Sequence, residues 1–239
     1  MKLVLFTHRS TQTIWLILLA FGLNAAALAQ ESEEGFKTIF NGKDLTGWDG
    51  DPKFWSVRDG AITGETTPEN SCTKNTFLIW RQGELDDFEL RLSFRVENGN
   101  SGIQYRSREV GQWEVGGYQA DIESGPQEIG ALYEEQGRGH LARRGEKSVI
   151  DENGQIKKEQ AGNADELFAS IHPKEWNTYT IVAQGTHLIQ KINGKVMAEV
   201  FDGDPKGSRS GILALQIHVG PPMTVQFKDI RLKRLPLAD

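Results

Sequence analysis

Apolar residues at every second position constrain the fold of this chain more than any other feature. The segment Phe88–Val96 reads FELRLSFRV, and its apolar side chains alternate with charged or hydroxyl ones. Successive side chains of a strand point to opposite faces, so this segment has one face made entirely for burial. The pattern predicts a strand that packs one face against a second layer.

Similar runs recur along the chain and are separated by turn sequences. The predicted strands are Ile103–Ser107, Tyr118–Glu123, Tyr179–Val182, His187–Ile192, Lys195–Phe201, Gly211–Val219 and Thr224–Leu232. Asn193-Gly194 stands between two of them and predicts a two-residue hairpin of type I′ geometry. Many short strands at close spacing predict an all-β, two-sheet antiparallel sandwich of the jelly-roll kind.

One segment, Glu134–Ala169, departs from this pattern. It is rich in Gly, Glu, Lys and Arg and has almost no apolar periodicity. It is therefore predicted to be one long loop insertion, of the kind that is usually functional or disordered in a compact domain. A short helical turn is expected near its end, at Asn163–Phe168.

The N-terminal residues are typical of an export signal. Lys2 and Arg9 precede an apolar run, and Ala27-Leu28-Ala29 forms a small-x-small cleavage site. Residues 1–29 are predicted to be a signal peptide, 30–34 a short linker and 35–235 one domain. The protein is therefore expected to be secreted or periplasmic, with no stable membrane span after cleavage. The alternative is an uncleaved N-terminal anchor.

Charge and cysteine usage exclude several classes of function. Without Lys2 and Arg9 the chain keeps 25 basic against 33 acidic residues, a net charge of −8. No basic stripe is present, so nucleic acid is not an expected partner. The single cysteine, Cys72, excludes an intramolecular disulfide and any metal site that needs paired cysteines.

Three predicted strands carry an unusual polar face. When their residues are sorted by parity, one face is apolar and the other holds amides and ionisable groups without any lysine. This polar set consists of Gln104, Arg106, Gln119, Asp121, Glu123, Gln216 and His218. Amides and arginine offer directional hydrogen bonds, which suit a neutral ligand rich in hydroxyl groups. The alternative is an ordinary solvated sheet face.

Several members of this set are candidates for chemistry. Asp121 and Glu123 would lie roughly 5–7 Å apart on one strand face, near the carboxylate separation of retaining glycosidases. Histidine changes protonation near neutral pH, so His218 could act as a general base, or it could be structural. No metal or other cofactor is required by the sequence, although a divalent metal held by His218 with Asp121 or Glu123 is possible. Trp113, in a glycine-flanked turn, and Tyr133 are expected to contact the substrate.

Six segments, in order, resemble one known family. They are FKTIFNGKDLTGW at 36–48, NSGIQYRS at 100–107, GYQADI at 117–122, EWNTYTIVAQG at 175–185, ING at 192–194 and LALQIHVGPPMTVQFKDIRLK at 213–233. Together they are similar to the 3-keto-disaccharide hydrolase family, and the similarity extends over about residues 35–235. The resemblance implies a fold like the concanavalin A-like and laminin G-like jelly rolls.

The resemblance also implies an activity, the cleavage of glycosides whose sugar carries a ketone at C3. That ketone acidifies the C2 hydrogen, so a base can form an enolate that expels the C1 substituent, after which water can add. The implied base is His218 or Glu123, with Arg106, Gln104 or Gln119 holding oxygen atoms, or a divalent metal in place of Arg106. Two other functions stay open: a non-catalytic carbohydrate-binding module and a structural or cell-surface interaction protein.

Overall fold

The computed structural model describes residues 34–238, and the predicted signal peptide and linker lie almost wholly outside them. Strands β1 to β17 are numbered in chain order, and they form two sheets. The larger sheet has ten strands, in the spatial order β12 (Ile156–Gln160), β11 (Glu146–Ile150), β15 (Lys195–Asp202), β14 (His187–Ile192), β13 (Asn177–Gln184), β6 (Phe88–Glu97), β17 (Thr224–Arg234), β4 (Ala61–Glu65) and β3 (Trp55–Arg58), with β1 (Lys37–Thr38) paired to β17.

The smaller sheet has seven strands. Their spatial order is β10 (Gly139–Ala142), β9 (Leu132–Glu135), β8 (Glu114–Glu123), β7 (Asn100–Gly111), β16 (Ile212–Ile217), β5 (Thr76–Trp80) and β2 (Trp48–Asp49). One short helix, α1 (Ala164–Phe168), is capped by Asn163, whose side chain accepts from the backbone N–H groups of Asp165 and Glu166. Within residues 34–238 no helix has the length and apolar character to span a bilayer.

The core lies between the two sheets, as the alternation predicts. In β6 the five apolar residues are buried and the intervening ones half-buried. Burial of each large apolar side chain stabilises the fold by roughly 1.5–3 kcal/mol. Phe88 of the larger sheet meets Tyr105 of the smaller sheet edge to face at 6.0 Å, and Tyr105 contacts Tyr118 at 5.7 Å. The predicted all-β sandwich is confirmed.

The hairpin prediction is also confirmed. Asn193 and Gly194 both have positive φ, 50° and 79°, as a type I′ turn requires, and they join β14 to β15. Asn98 and Gly99 also have positive φ, 55° and 67°, but they connect β6 of the larger sheet to β7 of the smaller one.

The prediction of one long loop at Glu134–Ala169 is wrong. This segment holds the end of β9, then β10, β11, β12 and α1. All five residues of β12 are exposed, and β12 is the last strand at that edge of its sheet, so it needs no apolar face. The pairing of β11 with β15 is parallel, so the sandwich is not wholly antiparallel as predicted.

Candidate functional site

The outer face of the smaller sheet brings together most of the predicted polar set. Gln104 on β7 lies opposite Gln119 on β8 and Ala214 on β16, so the three side chains share a face. Gly102 lies opposite Asp121, and the pairing of Ala214 with Gln104 places Gln216 next to Gly102. The neighbouring residues Tyr105, Tyr118 and Leu215 point the other way, into the core.

Three of these side chains form one hydrogen-bonded chain. The side-chain amides of Gln104 and Gln119 meet at 2.8 Å, and Gln119 Nε2 donates to Asp121 Oδ1 at 2.5 Å. The chain depends on Gly102, because a Cβ at that position would stand 2.5 Å from Gln119 Cδ. The glycine of the NSG sequence therefore makes room for the glutamine that orients Asp121.

Gln216, on the same face, is not part of this hydrogen-bonded chain. Its side chain is completely buried, yet neither its amide nitrogen nor its amide oxygen has a hydrogen-bond partner among the described residues. A buried amide without partners costs about 1–3 kcal/mol for each unsatisfied group. Such a cost is expected where a protein keeps donors and acceptors for a ligand.

Asp121 is buried as well, and burial raises its pKa well above the ordinary value for aspartate. The hydrogen bond from Gln119 acts in the opposite direction, while the negative charges of Glu128, Glu135 and Glu123 raise the pKa further. The face therefore holds a carboxyl group for which a nearby positive charge would be strongly favourable.

The carboxylate of Glu128 and the imidazole of His140 lie beside Asp121. One ligand atom from each of Asp121, Glu128 and His140 falls within 4.8 Å of the other two, and His140 Nε2 is 2.5 Å from Glu128 Oε2. Tyr133 lies opposite Gln119, and its ring meets the His140 imidazole edge to face at 4.9 Å. Burial and the surrounding carboxylates raise the pKa of Tyr133. Tyr133 thus lies at this face, and its contact with substrate stays a prediction.

His218 belongs to a second group on the face, with Asn75 and Glu135. His218 Nδ1 is 2.6 Å from the carbonyl oxygen of Val219, which can only accept, so Nδ1 is the donor, and in a neutral imidazole Nε2 is then the nitrogen with the lone pair. Asn75 accepts from Val219 N–H at 2.9 Å, and its amide nitrogen lies 3.4 Å from Glu135 Oε1. Burial raises the pKa of Glu135, and the hydrogen bond to Asn75 and the proximity of His218 partly oppose this.

The tip of the β7–β8 hairpin crosses the outer face and covers part of it. Trp113 packs against an apolar patch made of Phe77, Ile79 and Ala214. Its indole Nε1 donates to Asp49 Oδ1 at 3.1 Å, and its carbonyl accepts from Phe77 N–H at 3.0 Å. Beyond it lies a cavity of about 350 Å³, lined by Lys53, Phe54, Asn70, Cys72, Lys74 and Trp113 among others. Trp113 therefore lies at the rim of the polar face, and its contact with substrate stays a prediction.

Arg106 does not reach this face, and the prediction that it holds substrate oxygen atoms there is wrong. The β7–β8 register shifts between Tyr105 and Arg108, and Arg106 has a positive φ of 45°, so the parity of the strand is reversed at this bulge. The Arg106 side chain is buried and donates to Asp87 Oδ1 at 2.6 Å and to the carbonyl oxygens of Asp86 and Gly185 at 2.7 Å.

Glu123 is also engaged elsewhere. Its Oε2 accepts from the backbone N–H groups of Gln127 and Glu128, at 3.0 and 2.8 Å, and so holds the turn between β8 and β9. The structure therefore does not bring Glu123 together with His218 as a base or as a metal ligand. Its carboxylate instead positions the turn that carries Glu128.

Sequence reasoning missed Glu128, Glu135, His140 and Asn75. No spacing links Glu128 to Asp121, because a turn between two strands brings them together. Glu135 and His140 fall in the segment interpreted as a loop. Parity along β9 would have placed Glu135 on the same face as Tyr133, had that strand been recognised.

Comparisons with known proteins agree with this architecture. The family profile described as a 3-keto-alpha-glucoside-1,2-lyase-like domain matches residues 35–233. A Bacteroides thetaiotaomicron protein named 3-keto-disaccharide hydrolase is 35% identical over 85 residues. That alignment spans 32% of this chain and 29% of the relative's length.

Solved structures share the fold at low sequence identity. A Parabacteroides distasonis protein, provisionally described as a glycosyl hydrolase, superposes with a TM-score of 0.57 at 20% identity, over 84% of this chain and 99% of the other. A carbohydrate-binding module from Bacillus subtilis, CBM66, superposes with a TM-score of 0.53 at 12% identity, over 80% and 98% of the two chains. Because the profile matches nearly all of the described residues, this chain belongs to the family of the 3-keto-alpha-glucoside-1,2-lyase-like domain.

Proposed function

We propose that this chain cleaves 3-keto-glycosides, and that it does so outside the cytoplasm after export. The family and the name of the Bacteroides relative support a 3-keto-disaccharide as the substrate class. The predicted N-terminal signal peptide supports export. Elimination alone makes the chain a lyase, and elimination followed by addition of water makes it a hydrolase.

The observation that carries this proposal is the unsatisfied amide of Gln216, next to the Gln104–Gln119–Asp121 chain. A keto sugar offers hydroxyl donors together with hydroxyl and carbonyl acceptors. An amide can serve both kinds of group at once, so a sugar ring admitted to this buried position would satisfy both Gln216 atoms. Charged side chains would give less discrimination among neutral sugars.

The reaction needs a base at C2 and an acid at the glycosidic oxygen. His218 is suited to be the base, because its Nδ1–H is held by a carbonyl and its Nε2 lone pair faces away from that contact. Glu135 is suited to be the acid, because burial raises its pKa and favours the protonated form. Two neighbouring groups with different proton affinities are what acid–base catalysis requires.

The steps follow from these assignments. His218 takes the C2 proton, and the electron pair forms an enolate with the C3 carbonyl. The enolate collapses, the bond between C1 and the glycosidic oxygen breaks, and Glu135 protonates the departing oxygen. Donors such as the Gln216 amide stabilise the charge on the enolate oxygen. Water can then add across the new C1–C2 double bond to give the 3-keto monosaccharide.

The test is incubation with 3-keto-trehalose or 3-keto-lactose, with detection of the released monosaccharide. Wild type should release it, and His218→Ala and Glu135→Gln should lose turnover while keeping the wild-type circular dichroism spectrum. His172→Ala, which removes an exposed histidine in a distant turn, is the matched control and should keep full activity. Binding of unoxidised glycans without turnover of any 3-keto-glycoside would instead identify a carbohydrate-binding module.

A further inference from the structure

The outer face of the larger sheet brings together basic side chains that are distant in the sequence. Arg91 on β6 lies directly opposite Arg231 on β17 and, on its other side, opposite Thr180 on β13. Thr180 lies opposite Lys191 on β14, and Arg231 lies opposite Thr38 on β1. Residues paired in register point to the same face of a sheet, so these five form one row across five strands. We call it the cationic row.

Two cavities lie over the cationic row and adjoin each other. One, of about 370 Å³, is lined by Arg91, Lys191 and Arg231, with Ser93 and Asp229 among others. The other, of about 500 Å³, extends to β1 and shares Ser93, Asp229 and Arg231 with the first. Ser93 Oγ donates to Asp229 Oδ2 at 3.2 Å where the two meet. Neighbouring strands are about 4.8 Å apart, so the five strands of the row span roughly 19 Å. The two cavities therefore make one elongated groove.

Basic residues outnumber acidic ones around this groove. Besides the three cations of the row, the outward positions of β6 and β17 carry three more basic residues and three acidic ones: Arg95, Lys228 and Lys233 against Glu89, Glu97 and Asp229. Glu89 offsets part of the charge of Arg91, at 2.7 Å. Six basic against three acidic residues leave a local excess of three positive charges, although the whole chain has a net charge of −6. Like charges directly opposite each other are unfavourable in a sheet, so an anionic group bound between Arg91 and Arg231 would be favourable.

We propose that this groove binds an acidic polysaccharide, whose carboxylate or sulfate groups pair with the cationic row. Arginine can donate two parallel hydrogen bonds to such a group, and the hydroxyls of Thr178 and Thr180 can donate to or accept from sugar hydroxyls. The length of the groove favours a polymer over a single anion. Arg91, Lys191 and Arg231 are half-buried, so a narrow chain reaches them and a flat membrane surface does not.

The groove is on the opposite side of the sandwich from Gln216, because the core separates the outer faces of the two sheets. The inference therefore goes beyond the proposed function and does not depend on it. A polysaccharide held in the groove would leave the Gln216 face open to a second ligand.

The experiment measures binding of the protein to immobilised polygalacturonate and heparin by biolayer interferometry, with dextran as the uncharged control. Wild type should bind both acidic polymers, and its affinity should fall as the NaCl concentration is raised. Lys191→Gln and Arg91→Gln should each weaken binding about fivefold or more, because each removes a charge-assisted hydrogen bond. The matched control is Lys147→Gln, because Lys147 is also half-buried on the outer face of the larger sheet but lies on β11, outside both cavities. It should bind as wild type does.

No binding of either acidic polymer by wild type would overturn the groove as a polysaccharide site, and so would equal binding by wild type, Lys191→Gln and Arg91→Gln. Equal binding of dextran would overturn it too, because recognition would then not depend on charge. Binding of phosphatidylglycerol vesicles or of DNA, without binding of either acidic polymer, would refute the polysaccharide and assign the cationic row to that other partner. Each variant should keep the wild-type Tm, and where Arg91→Gln lowers it, Lys191→Gln decides.

Discussion

Two buried polar regions of this molecule differ in how completely their hydrogen bonds are satisfied. Between the sheets, Gln190 donates to the Tyr105 hydroxyl and accepts from the Tyr179 hydroxyl, both at 3.2 Å. Arg106 donates hydrogen bonds to the Asp87 carboxylate and to the carbonyl oxygens of Asp86 and Gly185. On the outer face of the smaller sheet, Gln216 has no partner among the described residues and Asp121 has no cation.

We interpret the satisfied region as part of the fold and the unsatisfied region as the proposed site. A satisfied polar network in the interior stabilises one arrangement of the core. Removal of any member leaves the other members without hydrogen-bond partners. A face with unmet hydrogen-bonding capacity costs stability, and under the proposed function its free donors and acceptors are kept for the sugar. The two regions should therefore respond to substitution in opposite ways.

Arg106→Met should be the most damaging change to stability. It leaves the buried Asp87 carboxylate without its cation, and loss of one partner of a buried ion pair costs about 3–5 kcal/mol. The measurement is the free energy of unfolding from guanidinium titration. Arg209→Met removes an exposed arginine and should cost about 1 kcal/mol or less. An equally small loss for Arg106→Met would contradict the assignment of Arg106 to the structural region.

Gln190→Met and Gln216→Met form the central pair. Gln190→Met leaves two buried tyrosine hydroxyls without their hydrogen-bond partner and should lower the free energy of unfolding by about 2 kcal/mol. The second removes an unpartnered amide and should raise it by about 1 kcal/mol, with loss of binding to 3-keto-disaccharides. Chemical denaturation of both variants under the same conditions is the measurement. Shifts in the same direction would remove the distinction between the two regions.

Glu135→Gln should change the pH dependence of the free energy of unfolding. Because the pKa of Glu135 is raised in the folded chain, its stabilising contribution is complete below the ordinary glutamate pKa. That contribution is lost as the pH rises through the raised pKa of Glu135. Glu135→Gln should therefore reduce the fall of the free energy of unfolding over this pH range. Turnover by wild type should fall over the same pH window, since the proposed acid loses its proton. Glu97→Gln, at an exposed position, should leave both profiles unchanged.

Arg81→Ala should have the smallest effect on stability. Arg81 joins the hairpin tip to the strand edge by contacts of 2.7 Å to both Glu109 and Asp49, but all three side chains are partly exposed. Exposed ion pairs contribute about 0.2–1 kcal/mol each. Because Trp113 lies in the same tip, KM for a 3-keto-disaccharide should rise while the free energy of unfolding changes little. An unchanged KM would show that the tip does not shape the site.

The sequence was sufficient for the regular part of the sandwich. Strict alternation in β6 and the Asn193-Gly194 turn are local signals, and both were predicted correctly. Parity placed Gln104, Gln119, Asp121 and Gln216 on one face because the strands that carry them run without interruption at those positions.

Prediction failed where local signals are absent. A bulge is not marked in the residues around Arg106, and one extra residue reverses the face on which a side chain lies. The edge strand β12 is exposed on both faces and therefore has no apolar period to recognise. The meeting of Glu128 and His140 with Asp121 depends on a turn and on sheet pairing, which no spacing in the sequence encodes.

A crystal structure of His218→Ala with a bound 3-keto-disaccharide would test the proposed site directly. We expect a sugar ring on the outer face of the smaller sheet, with its oxygen atoms within hydrogen-bond distance of both Gln216 amide atoms and its reacting carbon facing position 218. A sugar bound only elsewhere, such as the cavity beyond Trp113 or the outer face of the larger sheet, with Gln216 still unpaired, would contradict it.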